Sequence, residues 1–132
     1  MGFLDIFRKK KEVSLKELKW NKMWDLWVNE EIDSPYRELM TYYSEVNNGG
    51  HAQYFSNVDS VSDLKKEITN LKKILPFSFK KFLDSSYKAY LVLEEKDDEN
   101  SEEIMEESDN FFYENEEELI KILEEYALKI EI

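Results

Sequence analysis

His51 is the only imidazole in 132 residues, and it follows two of the chain's three glycines in Glu45-Val46-Asn47-Asn48-Gly49-Gly50-His51-Ala52-Gln53-Tyr54-Phe55-Ser56-Asn57-Val58. A serine nucleophile would need this ring as its base and a carboxylate to orient it. Ser56 lies five residues on, but no nucleophile-elbow pattern surrounds it. A histidine just past a helix end is expected to be exposed or to cap that end, so no catalytic residue is assigned. The chain has no cysteine, which removes thiol nucleophiles, disulfides and cysteine-based zinc sites. Asp97 begins a run resembling a calcium loop, but its sixth position is Glu102 instead of glycine and its twelfth is Ser108 instead of glutamate. No metal or cofactor is expected.

The second group capable of chemistry is acidic. Residues 94–107 hold Glu94, Glu95, Asp97, Asp98, Glu99, Glu102, Glu103, Glu106 and Glu107 against the single cation Lys96. A helix here would set Glu102 against Glu106 and Glu103 against Glu107, like-charge pairs that destabilise it. The segment 94–109 is therefore expected to be a loop. As a bland solvated loop it aids solubility. As a functional surface it imitates the phosphate array of DNA for a basic partner. Residues 1–90 carry 15 Lys/Arg and 13 Asp/Glu, and residues 91–132 carry 3 and 17, giving the net charge of −12. Such a block attracts basic surfaces and repels polyanions, so direct nucleic-acid binding is not expected.

The elements that must hold these groups read as helices. Ser14-Leu15-Lys16-Glu17 matches a capping box, and Leu15, Leu18, Met23, Trp24 and Trp27 share a face, with Trp20 at its flank. The tryptophans read as core more readily than as a ligand box, and an exposed remainder would suit a partner or homodimer contact. Asp33-Ser34-Pro35 opens a second helix with the stripe Leu39, Tyr42, Tyr43 and Val46, stopped by Asn47 to Gly50. A third helix starts at Ser60 to Asp63, carries Leu64, Ile68, Leu71 and Leu75, and breaks at Pro76. Phe79, Phe82, Leu83, Tyr87, Tyr90 and Leu91 mark the fourth. The fifth is capped by Asn115 and carries Leu119, Ile122, Leu123, Tyr126 and Ile130. Only Ala89 to Leu93 and the last few residues suit short strands. The expectation is one all-α domain of about five helices over residues 14–132, preceded by a basic and apolar leader, residues 1–13.

That leader sets Phe3, Leu4, Ile6 and Phe7 beside Arg8 to Lys11. It lacks the order of charges and the cleavage site of a secretory signal, and Ile6 breaks the myristoylation pattern. Weak contact with an anionic membrane is its functional reading, a frayed terminus its plain one. No apolar run is long enough to span a bilayer, and the composition fits a reducing cytoplasm.

Residues 45–57 look like the signature E-x-x-N-G-G-F-x-Q-Y-F-x-N of the bacterial DNA-mimic protein family. Weaker likeness extends over residues 20–130, through the tryptophan helix and Asp109-Asn110-Phe111-Phe112-Tyr113. The resemblance implies an all-α fold. For the member that named the family, it implies binding to a DNA-binding transcriptional regulator through acidic side chains. Some relatives resemble immunity proteins that neutralise a toxin, which is the alternative function; an enzyme with an unrecognised site is a third. His51 departs from the signature's phenylalanine and puts the packing of that corner in question. Asn48, Gly49, Gly50, Gln53, Tyr54, Phe55 and Asn57 are read as a structural motif. The glycines end a helix and reverse the chain, the Gln53 and Asn57 amides meet backbone groups opened by that reversal, and Tyr54 and Phe55 anchor the core.

Overall fold

The structure, a computed structural model, describes the backbone from Phe3 and the side chains from Leu15 through Ile132. The leader's expected amphipathic face lies outside the described side chains, but Ser14, expected to cap the first helix, lies within it, because that helix already runs from Phe3. The fold is all-α, and the described residues form five helices: α1 Phe3–Val28, α2 Tyr36–Val61, α3 Leu64–Leu71, α4 Phe77–Glu95 and α5 Glu99–Leu128. No strand occurs among the described residues, and Ala89 to Leu93 are the penultimate turns of α4.

The chain divides into two compact units, residues 33–119 and residues 1–32 with 120–132. In the smaller unit Met23, Leu123 and Ala127 are buried. Trp24 stands edge-on to both Trp20 and Trp27, with ring centroids 6.1 and 5.3 Å apart. Lys19 Nζ donates to the carbonyl of Leu128 at 2.9 Å, placing a cation where α5 ends and its carbonyls lack partners. Leu15 and Leu18, expected on the apolar face, are half exposed.

The larger unit holds the main core. Leu39, Tyr42, Val46, Tyr54, Phe55, Leu71, Phe79, Leu83, Phe112 and Leu119 are almost wholly buried, each such side chain contributing roughly 1.5–3 kcal/mol of transfer free energy. Asp63 caps α3 by accepting from the Lys66 amide at 3.2 Å. Pro35 precedes α2 through a cis peptide bond, and Ser34 donates its hydroxyl to Glu38 instead of capping the helix.

Further expected boundaries are corrected. The third helix, expected to carry Leu75 and break at Pro76, ends at Leu71, and Pro76 instead heads α4. Gly49 and Gly50 do not stop the second helix; they kink it, and helix resumes from His51 to Val61. Residues 99–109 are not loop but the first three turns of α5. The apolar side decides this in spite of like charge on the solvent side. Met105 and Phe112 are buried, Phe111 stacks on Phe82 at 4.3 Å, and Asp98 caps the start by accepting from the Ser101 amide at 3.0 Å and its hydroxyl at 2.6 Å. Asn115, expected to cap the last helix, lies inside it and donates to the Phe111 carbonyl.

Candidate functional site

The kink in α2 leaves backbone groups open on both sides, and α5 meets them. Gly50 has φ +79°, and a Cβ there would lie 2.6 Å from Asp109 Oδ2, so only glycine fits both the conformation and the space. Asp109 Oδ1 accepts from the His51 amide at 2.8 Å, and Tyr113 donates its hydroxyl to the Val46 carbonyl at 2.9 Å. Glu45 accepts from both Gln53 Nε2 at 3.0 Å and Asn57 Nδ2 at 2.8 Å. The two amides therefore clasp a carboxylate across the kink, and do not serve the backbone as expected. A Cβ on Gly49 would collide with the Gln53 side chain. Asn48 is exposed at the kink, while Tyr54 and Phe55 are fully buried as expected.

His51 is wholly buried, not exposed. Its Nδ1 lies 2.6 Å from Asp109 Oδ1 and its Nε2 lies 2.7 Å from the Tyr42 hydroxyl. It packs edge-on against Tyr42 and Phe112. An aspartate orienting a histidine is two thirds of a hydrolytic triad, but the third group here is a phenol. Burial, chiefly, and then the nearby Tyr54 and Asp109 push the Tyr42 hydroxyl well above its ordinary range, so it stays protonated. Both ring nitrogens of His51 are engaged and shielded, so the arrangement closes the corner and offers no reacting atom to a substrate.

A second polar cluster, missed in the sequence, joins α2 to α3. Arg37 pairs with Glu38 and with Glu67, the latter at 2.9 Å, and both carboxylates are buried. Glu67 Oε2 and the Tyr54 hydroxyl are buried without a hydrogen-bond partner among the described residues. A cleft of about 110 Å³ nearby is lined by Arg37, Ser62, Asp63, Lys66, Glu67 and Asn70. A larger one, about 250 Å³, lies among Lys16, Glu17, Trp20, Ile120, Glu124 and Ala127. The only hint in the sequence was Glu38 and Glu67 beside apolar residues.

The acidic residues remain at the surface. Glu94 and Glu95 end α4, Asp97 lies in the short link, and Asp98 is taken up by the cap, whose bonds from Ser101 hold its carboxyl below the usual range. Glu99, Glu102, Glu103, Glu106 and Glu107 are exposed along one side of α5, and Glu114, Glu117 and Glu118 extend the same side. Not one of these glutamates forms an ion pair among the described residues. The like-charge spacing that argued for a loop instead builds a ridge.

Among the described residues, no group of three or more His, Cys, Asp or Glu is placed to hold a metal ion, and no helix is long and apolar enough to cross a membrane. Neither a curated protein nor a solved structure matches the chain. The profile of one family, described as DMP19-like protein, matches residues 36–130. That span takes in the kink with its Glu45 clasp, the Asp109 and Tyr113 contacts and the whole acidic ridge; the chain belongs to the DMP19-like protein family.

Proposed function

We propose that this protein is a non-enzymatic interaction module whose α5 ridge engages a basic, DNA-binding protein by standing in for DNA. The observation that carries the reading is the ridge itself. Eight exposed glutamates, from Glu99 to Glu118, occupy about 29 Å of helix at a rise of ~1.5 Å per residue. Their mean axial spacing is ~4.1 Å, near the ~3.4 Å of helix axis per phosphate of one DNA strand. Family membership supports the same reading. A phosphate-binding surface would meet carboxylates at comparable axial spacing, fixed on a helix and without ion pairs among the described residues. Glu94, Glu95 and Asp97 extend the field at the N-terminal end of the rod.

Capture of partners from the native host at low and high salt tests this. The expected result is a basic protein released by salt, because displaced counterions make such binding salt-dependent. The quadruple variant Glu102→Gln, Glu103→Gln, Glu106→Gln, Glu107→Gln should keep its helicity and bind at least tenfold more weakly, at roughly 0.5 kcal/mol per lost exposed pair. Unchanged affinity would remove the ridge from the interface.

A further inference from the structure

Charge on this chain is segregated by element. Between Leu64 and Tyr90, seven lysines stand against Glu67 and Asp84, a balance of +5 in a chain of net −12. Asp84 is held by Lys72 at 2.8 Å and Glu67 by Arg37. Lys65 and Lys66 on α3 and Lys81 and Lys88 on α4 are exposed and form no ion pair among the described residues. They point away from the side that buries Leu64, Ile68, Phe79, Leu83 and Tyr90. At the head of the α4 stripe stands Phe77, 82% exposed. Exposed lysines on α3 and α4 and exposed glutamates on α5 thus both lack ion-pair partners among the described residues.

The two faces share a repeat. Lys81 and Lys88 are seven residues apart, two helical turns or ~10.5 Å along the axis, and so are Glu99 and Glu106, with Glu102 and Glu103 between them. We propose that the exposed α4 lysines, Lys81 and Lys88, dock a second copy of this chain through the N-terminal half of that copy's α5 ridge. Lys81 and Lys88 then meet Glu99 and Glu106, while Lys65 and Lys66 extend the positive field. Register is set by repulsion: Glu95 lies a further two turns beyond Lys88, and a slip of one repeat would bring it against a glutamate. Each pair is exposed and individually weak, so the contact depends on the array. The net −12 of each copy opposes association at long range, which keeps the complex weak and exchangeable. This inference uses the same ridge as the proposed function and adds competition to it, since a second copy and a basic partner contend for the same carboxylates.

Sedimentation equilibrium of the full chain, over a range of protein and salt concentrations, tests the contact. The variant Lys65→Glu, Lys66→Glu, Lys81→Glu, Lys88→Glu and its complement Glu99→Lys, Glu102→Lys, Glu103→Lys, Glu106→Lys alter only exposed positions. The parent should self-associate, each variant alone should do so roughly thirtyfold more weakly, and an equimolar mixture of the two should pair. A parent that stays monomeric throughout, self-association unaffected by lysine reversal, or a mixture that stays apart would each overturn the proposal. Circular dichroism checks the fold. If either fourfold variant loses helicity, Lys81→Glu mixed with Glu99→Lys gives the same readout with single changes. Salt-released capture of a basic partner by a monomeric parent would sink only the self-association. Charge-swap pairing without any basic partner would sink only the partner reading.

Discussion

His51 occupies the place where the family signature carries phenylalanine, and the corner accepts it because two groups meet its two nitrogens. Asp109 and Tyr42 are each worth roughly 1–3 kcal/mol here, since removing one partner leaves a buried polar atom unsatisfied. His51→Phe is therefore expected to lower stability by about 2 kcal/mol although it restores the signature residue. Adding Tyr42→Phe should recover part of that loss, because the orphaned hydroxyl goes with it. Urea midpoints for the two singles and the double provide the cycle; an additive cycle would mean the bond carries nothing. Gly50→Ala should cost more than about 2 kcal/mol, since strain at φ +79° adds to the collision with Asp109. Tyr42 and Tyr54 supply a pH prediction. Burial raises both hydroxyls in the fold, against about 10 for the free phenol. Above that pH the unfolded chain has lost protons that the folded chain still holds. Stability from these residues is thus complete below pH 10 and is lost as pH rises beyond it. Phenolate absorbance and unfolding should appear together for these two rings; ionisation within an intact fold would contradict the account.

At the scale of elements, α2 is one helix in two pieces joined by a clasp. Glu45→Ala frees Gln53 and Asn57 together and should cost about 1 kcal/mol. Its signature is faster amide exchange at residues 51–55 ahead of global unfolding, and exchange equal to that of the parent would show the clasp to be idle. In α5, Asp98→Ala removes the acceptor for the Ser101 amide and hydroxyl, and the first turn should lose exchange protection while the turns around Phe112 keep theirs. Much of the helical plan was legible in apolar spacing. The Asp63 cap emerged as read, whereas α3 ends at Leu71, before Pro76, which instead stands at the head of α4. The kink and the acidic turns were not legible for one shared reason. A glycine pair stops an isolated helix, and like charges melt one, but α5 supplies bonding groups to the first, and contacts to Phe82 and the core hold the second.

The whole molecule carries its charge unevenly, and that has a thermodynamic cost. Glu99/Glu103, Glu102/Glu106, Glu103/Glu107 and Glu114/Glu118 are like-charge neighbours one turn apart, each costing a few tenths of a kcal/mol at low salt. Added sodium chloride should therefore stabilise the fold by roughly 1 kcal/mol, while weakening capture of a basic partner. If salt left thermal stability unchanged, the ridge would be less strained than its spacing demands. A surface that repels itself and is kept in spite of the cost is the arrangement a charged partner would relieve.

The sequence by itself determined the all-α class, the family, and the acidity of the last third, because periodicity, a short motif and charge count need no third dimension. Tertiary structure decided whether those charges form a loop or a ridge, since only burial of Met105 and Phe112 and the stacking of Phe111 on Phe82 offset the repulsion on the opposite side. It decided the role of His51 too. Whether a lone histidine is solvated or sealed depends on Asp109, 58 residues away, and no local pattern encodes that meeting.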